Sequence, residues 1–275
     1  MGDNGGLLAA RARRAALGML AALSASLFLA ACTGGGSAPS PSPTWTAPAV
    51  DTSLSRCPAA PAELKTFVLK AGDASLPAAT LGDSATVAVL LHQTNGGGAC
   101  GWLPAAQLFA QRGIRPLLFD VYGFGPGPRI DGRAPDAATQ VDAAVAWAKK
   151  HGATRVVLVG ASMGGAIAVG TAQDSGADAV VDLSGPMAWS GVPGLAEAAP
   201  ALTLPTLVSA APDDTTSPAA ALGPAAGTLA GPHLFVTAPT GHGYELLLQG
   251  DGAATPFLDT VVNWVLGSYP AGVTG

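Results

Sequence analysis

From residue 60 onward, short apolar runs alternate with longer stretches in which apolar side chains recur every three or four positions. The runs at 66–69, 75–80, 86–91, 115–120, 155–159, 179–183, 206–209 and 233–237 read as strands. The run 86–91 (Thr-Val-Ala-Val-Leu-Leu) is continuously apolar, as expected for a strand buried on both faces. The stretches 102–111, 136–150, 165–173, 219–230 and 257–266 read as helices. In 136–150, Val141, Ala144, Val145 and Ala148 share one face, and Lys149, Lys150 and His151 complement the carboxyl end. Strand and helix in alternation predict an α/β domain with right-handed crossovers and a mostly parallel sheet. Reactive groups in such a sheet gather at the carboxyl ends of its strands, which supplies a filter for every candidate below.

Composition narrows the picture. The chain has 275 residues, enough for one α/β domain with a full core. It is 49% hydrophobic and only 11% charged, which describes a small-residue-rich globular protein and excludes a disordered one. The net charge is −5; beyond residue 31 there remain 10 basic and 17 acidic side chains, a formal −7. Such a chain presents no basic face to a nucleic acid or to an acidic membrane.

The amino terminus reads as an export signal. Arg11, Arg13 and Arg14 precede an apolar stretch at 15–29 that is too short and too weakly apolar for a membrane span. The arginine pair leaves both general secretion and twin-arginine export open. The stretch ends in Leu29-Ala30-Ala31-Cys32, which resembles the bacterial lipoprotein lipobox. That resemblance implies cleavage before Cys32 and lipidation of its thiol. The Gly, Ser, Pro and Thr that follow form a flexible to semi-extended tether. The expected organisation is a signal over 1–31, Cys32 with its tether over 32–59, and a folded domain over 60–275. Acyl chains alone then hold the protein on the outer face of the cell membrane. Two cysteines remain, Cys57 and Cys100, and an oxidising compartment favours a disulfide between them.

The chemistry begins at Gly160-Ala161-Ser162-Met163-Gly164, a G-x-S-x-G sequence between a predicted strand and a predicted helix. The chain must turn sharply at Ser162, which lifts its hydroxyl clear of the sheet beside unpaired backbone donors at a helix start. A plain βα turn with a capping serine has the same local pattern, so partners decide the matter. After the strand at 206–209 stand Asp213 and Asp214. Asp214 is preferred because its D-x-x-x-P spacing to Pro218 resembles the one found after this strand in α/β-hydrolases, with Asp213 as the alternative. After the last strand, His242 sits between Gly241 and Gly243. The other histidines have structural explanations: His151 closes a helix, His233 opens a strand, and His92 orders a loop.

The order Ser162, Asp214, His242 is similar to that of the α/β-hydrolase superfamily, and the resemblance spans about residues 60–268. Leu90-Leu91-His92-Gln93-Thr94 resembles its His-Gly segment after the third strand, with Gln93 in place of the glycine. Phe119-Asp120-Val121-Tyr122-Gly123-Phe124-Gly125 resembles its D-x-x-G-x-G segment after the fourth. The resemblance implies the α/β-hydrolase fold, a mostly parallel central sheet of about eight strands with helices on both faces. It implies a serine hydrolase, esterase-like or dienelactone-hydrolase-like, with Ser162 as nucleophile, His242 as base and Asp214 as its orienting acid. The oxyanion donors would be the backbone N–H of Met163 and that of Thr94 or Gln93. The short connection between the strands at 179–183 and 206–209 implies an enzyme with little or no lid.

The expected substrate is a small acyl or ester compound, turned over by a monomer without cofactor. No metal-ligand spacing is visible. Trp102, Met187, Trp189 and Tyr244 are candidates to line an apolar acyl pocket; the first three serve equally well as core or loop residues. Peptidase, thioesterase and acyltransferase activities, and a non-catalytic ligand-binding lipoprotein, remain the alternatives on the same fold.

Overall fold

The strands are β1 (Lys65–Ala71), β2 (Ala74–Thr80), β3 (Thr86–Leu91), β4 (Arg115–Phe119), β5 (Arg155–Ala161), β6 (Ala179–Leu183), β7 (Thr206–Ala210) and β8 (His233–Thr237). They come from a computed structural model that describes residues 53–94, 97–124, 136–270 and 273. Among the described residues they form one sheet in the order β1-β2-β4-β3-β5-β6-β7-β8. The β1–β2 hairpin is antiparallel and joins β4 antiparallel; every pairing from β4 to β8 is parallel. The expected signal, Cys32 and the tether up to residue 52 lie outside the described residues.

Side-chain alternation divides the core into two layers. Along β3, Val87, Val89 and Leu91 face one layer and Ala88 and Leu90 the other; along β5, Val156 and Leu158 oppose Val157, Val159 and Ala161. The first layer is covered by α2 (Ala137–Lys150), α3 (Met163–Ser175), the four-residue α4 (Leu195–Ala198) and α5 (Ala219–Ala226). The second is covered by α1 (Leu103–Gln111) and α6 (Phe257–Leu266). Both faces are therefore dry, which is why the central strands read as unbroken apolar runs.

Element ends differ from the sequence reading for local reasons. A 3₁₀ turn at Gly98–Trp102 precedes α1. The α3 helix begins at Met163, two residues early, because the Ser162 carbonyl already accepts from the N–H groups of Gly165 (2.7 Å) and Ala166 (3.2 Å). The α5 helix stops at Ala226, four residues short of expectation, and beyond Gly227 the N–H groups of Thr228 and Leu229 turn to the carbonyls three residues back, of Ala225 and Ala226. Only α4 interrupts the β6–β7 connection, so no lid domain is built there.

The folded body also starts earlier than residue 60. Leu54 is fully buried, Arg56 donates to the Asp120 carboxylate at 2.7 Å, and Cys57 forms a disulfide with Cys100. Residues 53–59 thus belong to the domain rather than to the tether, because one apolar side chain, one ion pair and one covalent bond hold them there.

Candidate active site

The turn at Ser162 follows from two glycines. A Cβ on Gly160 would lie 2.0 Å from the Gly164 carbonyl oxygen, and one on Gly164 would lie 2.0 Å from that of Leu91. Only bare backbone permits β3, the end of β5 and the start of α3 to pack this closely. Ser162 itself adopts φ 52°, ψ −119°, a conformation that L residues rarely tolerate. Its N–H is fixed to the Leu183 carbonyl at 2.9 Å. Ser162 is thus held at the carboxyl end of β5, at the amino terminus of α3. Met163 is the first residue of that helix, so its N–H lies ahead of the first intrahelical bond.

The acid and base come together across the ends of β7 and β8. His242 Nδ1 donates to Asp214 Oδ2 at 2.7 Å, while Asp214 Oδ1 accepts from the N–H groups of Thr216 (2.9 Å) and Ser217 (3.0 Å). A carboxylate only accepts, so Nδ1 carries a proton, and in the neutral form of the ring the lone pair is on Nε2. The Asp214 side chain is 2% exposed and that of His242 28%, so the imidazole is the pair's open end. Burial alone would raise the Asp214 carboxyl; hydrogen bonds from His242, Ser217 and Thr216 and the nearby Ser184 hydroxyl outweigh it and hold it below the usual range. Ser184 is itself fully buried at φ 58°, close enough to draw the carboxylate down yet short of hydrogen-bond geometry. Asp213 is exposed and accepts instead from the Thr240 hydroxyl at 2.6 Å, which fastens the β8 loop to the β7 loop.

Adjacent residues link the serine to this pair. A Cβ on Gly243, the residue after His242, would lie 3.3 Å from the Cβ of Ala161, the residue before Ser162. The His242 turn therefore packs directly on the strand end that carries the serine.

The loop after β3 is ordered by His92. This ring is wholly buried, donates from Nδ1 to the Gln93 carbonyl (2.8 Å) and accepts the Val121 N–H at Nε2 (2.9 Å). Burial lowers its pKa, consistent with a neutral ring whose two nitrogens are both engaged. Gln93 is buried, whereas Thr94 is exposed and adjoins residues 95–96, which lie outside the described residues.

Of the expected pocket residues, Tyr244 lines an apolar cleft of about 1060 Å³ with Gly101, Pro104, Leu248 and Phe257, a cleft that Ser162, Asp214 and His242 do not line. Trp102 is corrected to a core residue: it has no exposed surface and sits edge-on behind Tyr244, ring centroids 5.8 Å apart. Met187 and Trp189 pack at the margin of the core, with Trp189 against the exposed ring of Phe124 at 5.9 Å. Sequence reasoning missed three contributors: Ser184, Thr240 and the side chain of Gln93. Their signals are a positive φ, a cross-loop hydroxyl and a buried amide, none of which has a linear pattern.

The comparisons with known proteins agree with this architecture. A model of the alpha/beta hydrolase family matches residues 88–270. An esterase of Pyrococcus furiosus superposes with TM-score 0.63 at 14% identity, covering 75% of this chain and 91% of that one. Thermogutta terrifontis esterase 2, phosphoramylated by tabun, gives 0.59 at 16% identity over 75% and 95% of the two chains. A dienelactone hydrolase from Anabaena variabilis gives 0.56 at 18% identity over 76% and 100%. No curated protein sequence matches the chain.

Proposed function

The chain belongs to the alpha/beta hydrolase family, and from that premise we propose that it is an exported serine hydrolase cleaving carboxylic esters or related acyl compounds through an acyl-enzyme at Ser162. The observation that carries this reading is the Asp214–His242 pair at 2.7 Å, packed through Gly243 onto the strand end that bears Ser162.

In this reading His242 Nε2 takes the Ser162 proton as Oγ attacks the acyl carbon, and the carbonyl π pair moves onto oxygen. Asp214 keeps the imidazole in the Nδ1–H form and stabilises its cation. The N–H of Met163, with one from Thr94 or Gln93, receives the oxyanion; losing one such donor costs about 3 kcal/mol of transition-state stabilisation. Collapse expels the alcohol, which leaves with the proton from His242. Water then adds to the acyl-enzyme with His242 as base, and release of the acid restores Ser162.

The esterases and the dienelactone hydrolase among the similar structures support ester chemistry over other acyl transfers. The short β6–β7 connection supports an open site. The Leu29-Ala30-Ala31-Cys32 sequence supports anchoring of the protein by lipid at the outer face of the cell membrane. A panel of p-nitrophenyl esters of increasing acyl length, with matched anilides and thioesters, tests the reading on wild type and Ser162→Ala. Turnover of esters by wild type alone supports it. Preference for anilides makes the protein a peptidase, and ligand-dependent stabilisation without any turnover makes it a binding lipoprotein.

A further inference from the structure

Gln93 stands where the resemblance expects a glycine, and its side chain is not turned to solvent. The residue is 8% exposed, and Oε1 is buried with no hydrogen-bond partner. An orphaned buried carbonyl is unfavourable and persists only where other contacts dictate its position. Those contacts are visible. A Cβ built on Gly243 would lie 2.1 Å from Gln93 Oε1 and 3.3 Å from its Cδ, so the amide fills the space a side chain at 243 would occupy. Gly243 has φ +60°, which also excludes most other residues. The same built Cβ is 3.3 Å from Ala161. The amide therefore lies against the residue after His242 and close to the residue before Ser162.

The next residue of that turn is held as well. Burial and the Glu245 carboxylate raise the Tyr244 phenol, and the nearby Gln93 amide opposes that rise. Tyr244 is in turn wedged into a notch at Gly101, where a Cβ would lie 2.7 Å from its hydroxyl, and its ring meets buried Trp102 edge-on. Gly101 follows Cys100, which the disulfide fixes to Cys57. A continuous set of contacts thus runs from the β3 loop through Gln93 to the short 3₁₀ turn Gly243–Leu246 that His242 opens.

We propose that Gln93 is a positioning residue whose side-chain amide braces the His242 turn against the β5 end and so sets the approach of His242 to Ser162. This rests on the serine-hydrolase reading above. It assigns the Gln93 side chain a task separate from any donation by its backbone N–H, which alanine at this position would retain.

The test is a double-mutant cycle on the full chain, reading kcat, KM and melting temperature with an ester that wild type turns over. Gln93→Ala is expected to lower kcat about 30-fold with KM changed less than about 2-fold, the scale of a misplacement of roughly an ångström. In a His242→Ala background the same substitution is expected to cost less than about 3-fold, because nothing is left to position. Gln93→Met, which keeps length but lacks the planar amide packed over Gly243, is expected to lower kcat in the same direction and serves where the alanine form does not fold. Unchanged kcat in a folded Gln93 variant, or an equal loss with and without His242, overturns the brace while the serine-hydrolase reading stands. A wild type without Ser162-dependent turnover overturns that reading, and the brace with it.

Discussion

Asp214 and His242, 28 residues apart in the chain, meet at 2.7 Å because β7 and β8 are parallel neighbours and both loops leave their carboxyl ends. The contact distinguishes two adjacent carboxylates. Asp214 points inward, caps the N–H groups of Thr216 and Ser217, and is buried; Asp213 points outward to Thr240.

Asp214→Asn is therefore expected to lower kcat by about 10⁴-fold, since an amide does not hold the imidazole in the Nδ1–H form. Asp213→Asn is expected to stay within about 3-fold of wild type, as an exposed residue outside that pair. Because the Asp214 carboxyl lies below the usual range, its anion, and the stability it lends, persist above the unfolded value and are lost only as pH falls through the depressed folded one. Steady-state kinetics of both variants on one ester checks this assignment.

Asp182 carries a second, pH-dependent expectation. It lies on β6 opposite Gly160, is almost wholly buried, and accepts the Gly185 N–H at 2.7 Å. Burial pushes its carboxyl up to about 7, against the Gly185 bond, from the 3.8 of a free side chain. The native state then keeps a proton that the unfolded chain releases, so stability falls as pH rises from about 4 to about 7 and the penalty is complete above that. Asp182→Asn keeps the acceptor and removes the charge. Its stability relative to wild type is expected to rise by about 3–4 kcal/mol between about pH 4 and about pH 8. Urea unfolding at the two pH values measures it, and a pH-independent difference would remove this role for Asp182.

The disulfide gives a third expectation. Cys57 and Cys100 are 43 residues apart. Loop closure of that length constrains the unfolded chain by about 4 kcal/mol. The Cys57→Ala/Cys100→Ala double variant is expected to unfold at correspondingly lower urea, and reductant should shift wild type to the same midpoint.

Much of this fold could be read from the residues alone, because β3 and β5 are buried on both faces and their apolar runs have no other explanation. The glycines around Ser162 announced a sharp turn, and the parallel order placed the Asp214 and His242 loops on one rim. What could not be read depends on direction rather than pattern. Asp213 and Asp214 have the same neighbours and differ only in where the turn aims them. Leu54 and Cys57 sit in a Ser/Pro-rich stretch, so their burial shows only once Asp120 and Cys100 are in place. By sequence Trp102 suits pocket or core alike, and only the placement of Tyr244 over it decides. Gln93 departs from the glycine of the resemblance, but the space above Gly243 that receives its amide is a feature of two distant loops.

Ser162 as a nucleophile activated by His242 is open to one decisive trial: treat the full chain with a fluorophosphonate probe and locate the adduct by peptide mass spectrometry. Covalent modification is expected at Ser162 in wild type, none in Ser162→Ala, and labelling slowed by at least about 10³-fold in His242→Ala. Equal labelling of wild type and Ser162→Ala, or an unmodified wild type, would overturn this assignment.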